Sequence, residues 1–222
     1  VGDYNVDGNQ DIVAAGRPSG LTGYWKLDEN TGTTASDSSG NGATGTLTGG
    51  PTWTTGKYNS GVYFNGSAQS IVTAVTTQYS VGSMAMWVNP AFSRGNCKYF
   101  YGIKASDFGN ELILMFHGCS GTAELVASAK GNYGAYLQTT KEITSDTDLQ
   151  RWQHIAAVWD VNNGVWLYRD GVLVSSAAGT TGALTYGNQS IGYDFLGDVD
   201  DVRTFNRALS AEEIAGLYQA TK

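Results

Sequence analysis

Short runs of β-favouring residues, separated by clusters of glycine, asparagine, aspartate and serine, recur along most of this chain. Thirty glycines against three prolines in 222 residues fit a fold with many tight turns. Many short strands with turns between them predict an all-β protein, either a sandwich or a barrel. The runs are Tyr24–Leu27, Val62–Phe64, Ile71–Thr73, Met84–Val88, Tyr99–Tyr101, Leu112–Phe116, Ile155–Trp159, Val165–Tyr168 and Val172–Val174.

Local signals place two turns and one helix. Asn65-Gly66 and Asp170-Gly171 are the residue pairs that two-residue hairpin turns favour. Near the end of the chain, Ser210 followed by Glu213 forms a capping-box pattern. Ile214, Leu217 and Tyr218 follow at spacings of three and four, which predicts a short amphipathic C-terminal helix.

The charge of the chain excludes some classes of partner. The formal net charge is −7 and basic residues are not clustered, which excludes nucleic acid as a partner. No apolar run approaches the ~18 residues that cross a bilayer, so we expect no membrane insertion. No signal peptide is visible, and we interpret the chain as a fragment of a longer secreted protein. An acidic surface suits neutral sugars and calcium.

An ordered series of short motifs resembles the laminin-G-like, concanavalin A-like lectin/glucanase superfamily. Trp152-Gln153-His154 matches the tryptophan–x–histidine strand of that family, and Tyr168-Arg169-Asp170-Gly171 matches its hairpin. The series covers about residues 21–220 and also includes Gly23–Glu29, Asp37–Gly42, Val62–Gly66, Met86–Val88, Asp200–Arg203 and Asn206–Ser210. The resemblance implies a two-sheet antiparallel jelly roll over residues 21–222.

The same resemblance implies a structural calcium ion. Related sandwiches hold one with an aspartate of the last strand and with backbone oxygens near the first strands. Asp200 matches that aspartate, and Asp28, Asp37 and Asn41 are candidates for further ligands. The alternative for Asp37 and Asn41 is that their side chains only close turns.

Residues 1–20 resemble something else, the calcium loop of an FG-GAP propeller repeat followed by a linker. Oxygen-bearing side chains stand at every second position, which is a spacing that can wrap a chain around one calcium ion. The alternative is a solvated acidic terminus. The candidate ligands are Asp3, Asn5, Asp7, Asn9 and Asp11.

The two cysteines, Cys97 and Cys119, flank two strand-like segments. If these segments form a hairpin, the cysteines pair in the same register as Lys104 with Leu112. A disulfide there fits a secreted protein, whereas two reduced thiols are the alternative in a cytosolic one.

The sequence lacks the marks of an enzyme. Glycoside hydrolysis needs two carboxylates that flank the scissile bond, and the glucanases of this superfamily carry theirs as glutamate–x–aspartate–x–x–glutamate. That run is absent, Glu111 and Glu124 stand on different segments, and no Gly-x-Ser-x-Gly elbow occurs. His154 is interpreted as structural. We therefore expect no catalytic residue, with hydrolase or lyase activity as the minority hypothesis.

Aromatic residues favour carbohydrate binding, because sugar rings stack on aromatic faces. Trp166 and Tyr168 share one face of their strand, and Tyr99 and Tyr101 share one face of theirs. The candidate ligand-binding residues are Trp166, Tyr168, Tyr99, Tyr101, Tyr133, Tyr193, Asn132 and Asp194. These observations predict a monomeric, extracellular carbohydrate-binding module that binds polysaccharide or oligosaccharide beside other domains of its parent. A surface adhesion module that binds protein is the alternative.

Overall fold

Two antiparallel sheets packed face to face make up the protein, as the resemblance implied. The computed structural model describes residues 18–73, 80–94, 96–107, 110–119, 121–130, 136–182 and 189–222, without the side chains of 96–107, 110–111, 118–119 and 136. Several predicted site residues therefore lie outside the described part. They are the loop residues Asp3, Asn5, Asp7, Asn9 and Asp11, together with Asn132 and Tyr133, and the side chains of Cys97, Tyr99, Tyr101 and Cys119.

Sixteen strands and two helices are seen in the described residues. The first eight strands are β1 (Leu21–Trp25), β2 (Thr34–Ala35), β3 (Gly45–Thr48), β4 (Thr52–Thr55), β5 (Ser60–Asn65), β6 (Ser70–Thr73), β7 (Val81–Pro90) and β8 (Asn96–Asp107). Then follow β9 (Asn110–Cys119), β10 (Thr122–Lys130), β11 (Tyr136–Ile143), α1 (Asp146–Leu149), β12 (Gln153–Asp160), β13 (Gly164–Arg169), β14 (Val172–Ala178), β15 (Gln189–Ile191), β16 (Leu196–Phe205) and α2 (Ala211–Ala220).

The two sheets contain eight strands each. The first sheet has the order β14-β13-β12-β7-β16-β5-β4, with β1 also paired to β16. The second sheet has the order β11-β10-β9-β8-β15-β6-β3-β2. Strands that are neighbours in sequence often lie in different sheets, so the chain crosses repeatedly between the layers.

The main core lies between the two sheets. Phe64 and Ile155 of the first sheet and Phe116 of the second are fully buried there. Trp25 is also fully buried, and its indole Nε1 donates to the carbonyl oxygen of Ala43 at 2.7 Å. Inward-facing apolar side chains alternate with outward-facing ones along these strands, which is the pattern that fixes the register of a sandwich.

A second, smaller core lies on the outer face of the first sheet, under helix α2. Ile214 and Leu217 of the helix are 0% and 3% exposed, and they cluster with Ala156, Tyr168 and Phe205 of the sheet. Full burial of such side chains is worth about 1.5–3 kcal/mol each. The helix starts as predicted, because Ser210 and Glu213 make both hydrogen bonds of a capping box. The first sheet is thus covered on both faces.

One of the two predicted turns is confirmed and the other is wrong. Asp170 and Gly171 join β13 to β14, and both have a positive φ, as a type I′ turn requires. Asn65-Gly66 does not make a two-residue hairpin, because β5 belongs to the first sheet and β6 to the second. The Gln69 side chain accepts from the backbone N–H of Asn65 and stabilises this crossing between layers.

The two cysteine-bearing segments form the expected hairpin, β8 with β9. The predicted pairing of Lys104 with Leu112 is wrong by one residue, because a bulge between Tyr101 and Ile103 shifts Lys104 opposite Ile113. A second irregularity, next to Cys97, sets Asn96 opposite Cys119. The cysteine side chains lie outside the described part, so the disulfide stays a prediction.

Candidate functional site

Two buried aspartates meet at a β-bulge on the outer side of β16. The pairing of β16 with β7 shifts register between Asp200 and Arg203, and Asp201 takes a left-handed φ of 53°. As a result, consecutive carboxylates at 200 and 201 are 1% and 6% exposed. Bulges often redirect side chains in this way near functional sites.

Asp201 has a cationic partner. Its Oδ2 lies 2.9 Å from Nη1 of Arg203. The same guanidinium lies over the ring of Tyr24, with 4.3 Å from Cζ to the ring centroid, and it donates to the Tyr24 hydroxyl at 2.9 Å. The charge of Asp201 is thus offset within the protein.

Asp200 has no such partner. Its Oδ2 accepts from the backbone N–H of Tyr58 at 2.9 Å, while its Oδ1 is buried without a hydrogen bond. Burial is the main cause that raises the pKa of Asp200 to about 7; repulsion from Asp201 and Asp28 contributes to the rise, and hydrogen bonds from the backbone oppose it. Gly56 packs directly against this carboxylate, and a Cβ there would lie 2.7 Å from Oδ2. An orphaned buried carboxylate oxygen is the kind of group that a bound cation satisfies.

Asp28 lies on the other side of the Gly56–Ser60 loop. Its carboxylate receives only two long contacts, 3.5 Å from the Ser60 backbone N–H and 3.4 Å from the Asn59 amide. Leu27 and Asn59, beside it, both have a left-handed φ, which is costly for non-glycine residues and is often found at binding sites. Asp28 and Asp200 therefore both have carboxylate oxygen atoms that the described residues bond weakly or not at all. Within the described residues, no group of three or more His, Cys, Asp and Glu side chains converges on a metal position.

Asp37 and Asn41 bond mainly within their own loop. Asp37 accepts five hydrogen bonds at 2.7–3.2 Å, from the backbone N–H groups of Tyr24, Ser39, Asn41 and Ala43 and from the Ser39 hydroxyl. Asn41 donates its side-chain amide to the carbonyl oxygens of Leu21 and Thr22. These contacts favour the alternative in which both side chains close the β1–β3 connection, and their role as calcium ligands stays a prediction.

A third polar surface is the outer face of the second sheet. Leu112, Leu114 and Phe116 of β9 point into the main core, so the residues between them face outward. Ile113 and Met115 nevertheless are only 4% and 5% exposed, and they form a separate apolar cluster with Val126. The middle of this outer face is therefore closed to solvent, and only its polar border is exposed.

Cross-strand pairing arranges this face in three rows. We define the candidate binding face as Ile113, Ser128 and Gln138 in one row, Met115, Val126 and Thr140 in the next, and His117, Glu124 and Glu142 in the third. The middle is apolar and buried, and the β11 edge is polar and more exposed. The register sets Tyr101 opposite Met115 and Tyr99 opposite His117, so the predicted tyrosine strand borders these rows.

The predicted ligand-binding residues do not lie together. Trp166 and Tyr168 belong to the first sheet, on the opposite layer from Tyr99 and Tyr101. Their expected exposed platform is wrong, because Tyr168 is 6% exposed and Trp166 packs half-buried against the second core. Tyr193 is 37% exposed and Asp194 accepts from the backbone N–H of Ala68, both in the turn between β15 and β16. His117, Glu124 and Glu142 were not among the predicted ligand-binding residues.

His154 is a packing residue, in agreement with its interpretation from sequence. It is 1% exposed and lies edge-on to Trp87, with ring centroids 5.5 Å apart, and near Tyr218 of α2. Neither ring nitrogen has a hydrogen-bond partner. Burial and, to a lesser extent, the charge of Arg203 lower the pKa of His154 to about 3, against a smaller opposite effect of Asp170.

Replacing His154 with methionine is expected to make the protein less acid-sensitive. The unfolded chain binds a proton at this histidine below about pH 6.5, whereas the folded chain does so only near pH 3. Wild-type stability should therefore fall by about 1.4 kcal/mol per pH unit through that window. His154→Met should be within about 1.5 kcal/mol of wild type at pH 7 and about 2 kcal/mol more stable than it at pH 5. Urea denaturation at a series of pH values measures the difference.

The matched control is Met86→Leu, a buried substitution of similar volume on the neighbouring strand that changes no titratable group, and it should keep the wild-type dependence on pH. Equal pH profiles for wild type and His154→Met would contradict the buried neutral state of His154.

Comparisons with known proteins agree with this architecture. A family model described as the concanavalin A-like lectin/glucanases superfamily matches residues 65–215. A search of curated protein sequences returns no match. Within the described residues, no helix is long and apolar enough to cross a membrane.

The similar solved structures are binding domains. Domain 4 of AbnA, an extracellular arabinanase from Geobacillus stearothermophilus solved with arabinotriose, aligns at a TM-score of 0.65 and 21% identity, over 90% of this chain and 98% of that one. The binding domain of Paraclostridial Mosquitocidal Protein 1 aligns at 0.71 and 16% identity, over 90% and 52%. The botulinum neurotoxin serotype D domain in complex with N-acetylneuraminic acid aligns at 0.72 and 15% identity, over 90% and 51%.

This chain thus spans about half the length of the two toxin domains. At these identities the likeness shows the fold alone. The family model covers more than half of the chain, and the two-sheet topology agrees with it. The chain belongs to the concanavalin A-like lectin/glucanase superfamily.

Proposed function

We propose that this protein is a non-catalytic carbohydrate-binding module that binds a neutral glycan on the candidate binding face of the second sheet. The observation that carries the proposal is the polar row of His117, Glu124 and Glu142, which reaches solvent beside the buried apolar middle of this face. Within the described residues, α2 covers the part of the outer face of the first sheet over β7, β12, β13 and β16.

The chemistry of this face suits a sugar. The His, Glu, Gln and Thr side chains at the polar border of the face can bond the hydroxyl groups of a sugar ring. Glu124 and Glu142 are directly opposite each other across β10 and β11. Two carboxylates at the same edge repel a uronate or sulfate group, so we expect neutral sugars to be preferred over acidic ones.

Replacing His117 and Glu124 together with alanine is expected to weaken glycan binding at least about tenfold, because each removes a hydrogen-bonding group. A glycan array identifies the ligand, and affinity gel electrophoresis measures retention of the variant. Trp166→Ala serves as the control on the opposite sheet. It should retain glycan binding while losing about 1–3 kcal/mol of stability through the second core. Loss of retention in Trp166→Ala together with normal retention of the His117/Glu124 variant would place the site on the first sheet.

We further propose that the facing carboxylates do not perform hydrolysis. A glycosidase needs one carboxyl group kept protonated by a dry environment and a second kept ionised. Glu142 is exposed and Glu124 half-buried, so solvent reaches both. Release of reducing sugar from a bound polysaccharide, abolished by Glu124→Gln, would overturn this assignment.

The corner around Asp200 is proposed as a structural calcium site. The residues fit the ion, because Asp200 and Asp28 offer oxygens that the protein leaves unbonded or weakly bonded. Calcium would there neutralise a buried carboxylate and fix the Gly56–Ser60 loop against β16. Whether the Asp3–Asp11 loop holds a second ion is a separate proposal, because those residues lie outside the described part.

An extracellular location and a Cys97–Cys119 disulfide complete the proposal. Extracellular arabinanase and toxin binding domains share the fold, and these domains are parts of larger proteins. The β8–β9 register brings the cysteine positions to one end of a hairpin. Intact mass before and after reduction tests the bond, and an unchanged mass would exclude it.

A further inference from the structure

Strand β14 (Val172–Ala178) is an open edge of the first sheet. It pairs with β13 on one side, and within the described residues no strand pairs with its other side. In an antiparallel ladder, every second residue of an edge strand directs its N–H and C=O groups outward. Such an edge is a template for another strand.

The sequence of β14 lacks two of the usual protections of an edge, charge and proline, since its seven residues are Val-Leu-Val-Ser-Ser-Ala-Ala. Its one protecting feature is a bulge at Val174. The other edges in the described part differ: β11 carries Lys141 and Glu142, β4 and β2 are four and two residues long, and β1 (Leu21–Trp25) has no exposed residue. Charges, prolines, bulges and short length are the features by which proteins prevent association at edges.

The exposed apolar surface lies on the same strand. Val172 is 64% exposed and Leu173 is 46% exposed. In the described part, Tyr193, at 37%, is the one other large hydrophobic residue that is exposed. An edge without charge or proline and two exposed aliphatic side chains therefore coincide at one place.

We propose that β14 pairs antiparallel with β14 of a second copy of this chain, which joins the two first sheets into one continuous sheet. The strand is complementary to itself. Its first half carries the large residues Val172, Leu173 and Val174, and its second half the small ones, Ser176, Ala177 and Ala178. Two-fold antiparallel pairing sets each large half against a small half, and it brings no like charges into register. This assembly differs from the monomer expected from the sequence.

Two features limit the strength of the dimer. A bulge between Leu167 and Tyr168 on the β13 side interrupts the regular ladder within β14. Each copy also carries a formal charge of −7, so the copies repel each other at low ionic strength. We therefore expect association in the micromolar range that strengthens as salt is added. The dimer does not depend on the proposed glycan site, which lies on the other sheet.

Sedimentation velocity of the complete chain, from low micromolar to near-millimolar concentration, tests the proposal. The expected result is a shift from the 23.5 kDa monomer to twice that mass, with more dimer at high salt. The double variant Val172→Lys, Leu173→Lys should stay monomeric at all concentrations, and Val172→Lys alone, at a well-exposed site, should weaken the dimer if the double variant folds poorly.

The control is Thr52→Lys, which adds the same charge to β4 at the opposite edge of the same sheet. It should dimerise as wild type does. Hydrogen exchange of the β14 amides should slow as protein concentration rises. A wild type that stays monomeric at near-millimolar concentration would overturn the proposal, as would a dimer that tolerates both lysines on β14.

Discussion

Asp37→Ala is expected to lower the free energy of unfolding by about 3 kcal/mol, because one carboxylate accepts five hydrogen bonds from the chain around it. Alanine would remove the acceptor of the backbone N–H groups of Tyr24, Ser39 and Ala43, whereas that of Asn41 would keep the Ser39 hydroxyl. Two of them, on Tyr24 and Ala43, adjoin the buried side chain of Trp25. Chemical denaturation monitored by tryptophan fluorescence measures the loss.

The pH dependence of the wild type should carry the signature of this carboxylate. Burial alone would raise the pKa of Asp37, but hydrogen bonds from Ser39, Tyr24 and Ala43 outweigh it and lower the pKa below its usual value of 3.8. The stabilisation of the folded state by ionised Asp37 is therefore present above about pH 4, and it is lost as the pH falls through the lowered pKa. Asp37→Asn, which keeps one acceptor oxygen, should fall between wild type and Asp37→Ala. A loss below about 0.5 kcal/mol in Asp37→Ala, the range of ordinary surface substitutions, would contradict this role.

Asp200→Asn is expected to abolish the stabilisation of the protein by calcium. At a calcium concentration one hundred times the dissociation constant, the wild type should gain about 2.7 kcal/mol. The variant should gain nothing, because the buried unpaired Oδ1 no longer carries charge. Without calcium the variant should instead be more stable than wild type, by about 2 kcal/mol, since a neutral amide is cheaper to bury than an unpaired carboxylate. Thermal unfolding with calcium and with a chelator gives both values.

Two controls distinguish calcium binding at Asp200 from a general effect of removing one charge and from calcium binding at the N-terminal loop. Glu142→Gln removes the same charge from an exposed position and should respond to calcium as the wild type does. Deletion of residues 1–17 removes the FG-GAP-like loop, and the calcium effect at Asp200 should survive it. If calcium raised the unfolding temperature equally in wild type and Asp200→Asn, and not at all after the deletion, the calcium site would lie in the N-terminal loop instead.

Local sequence rules predicted the elements whose chemistry is local. The Ser210–Glu213 capping box and the Asp170-Gly171 turn need only residues close in sequence, and both are confirmed. Asn65-Gly66 was misread because the same pair fits a crossing between layers, where the partner of Asn65 is Leu196, far along the chain. Turn residues reveal that the chain bends, but not which sheet it enters next.

The candidate binding face was harder to predict. Strand β10, Thr122–Lys130, has buried residues on both faces, so its sequence lacks the alternation that marks a half-exposed strand. Because the sequence did not predict β10 and β11, it could not predict the register that sets Glu124 opposite Glu142. Trp166 and Tyr168 were misplaced for a related reason, because period-two alternation shows that they share a face but not that a helix covers it.

Both ends of the described chain leave from the same side of the molecule. Near the start, the Gly20 and Ser19 carbonyl oxygens accept from Asn206 and Arg207, at the foot of α2. At the end, the Thr221 hydroxyl accepts from the indole of Trp87 on the outer surface of the first sheet. Residues 19–20 and the end of α2 therefore lie on the opposite layer from the proposed binding face. A polymer bound to that face would extend over the second sheet without meeting either of them.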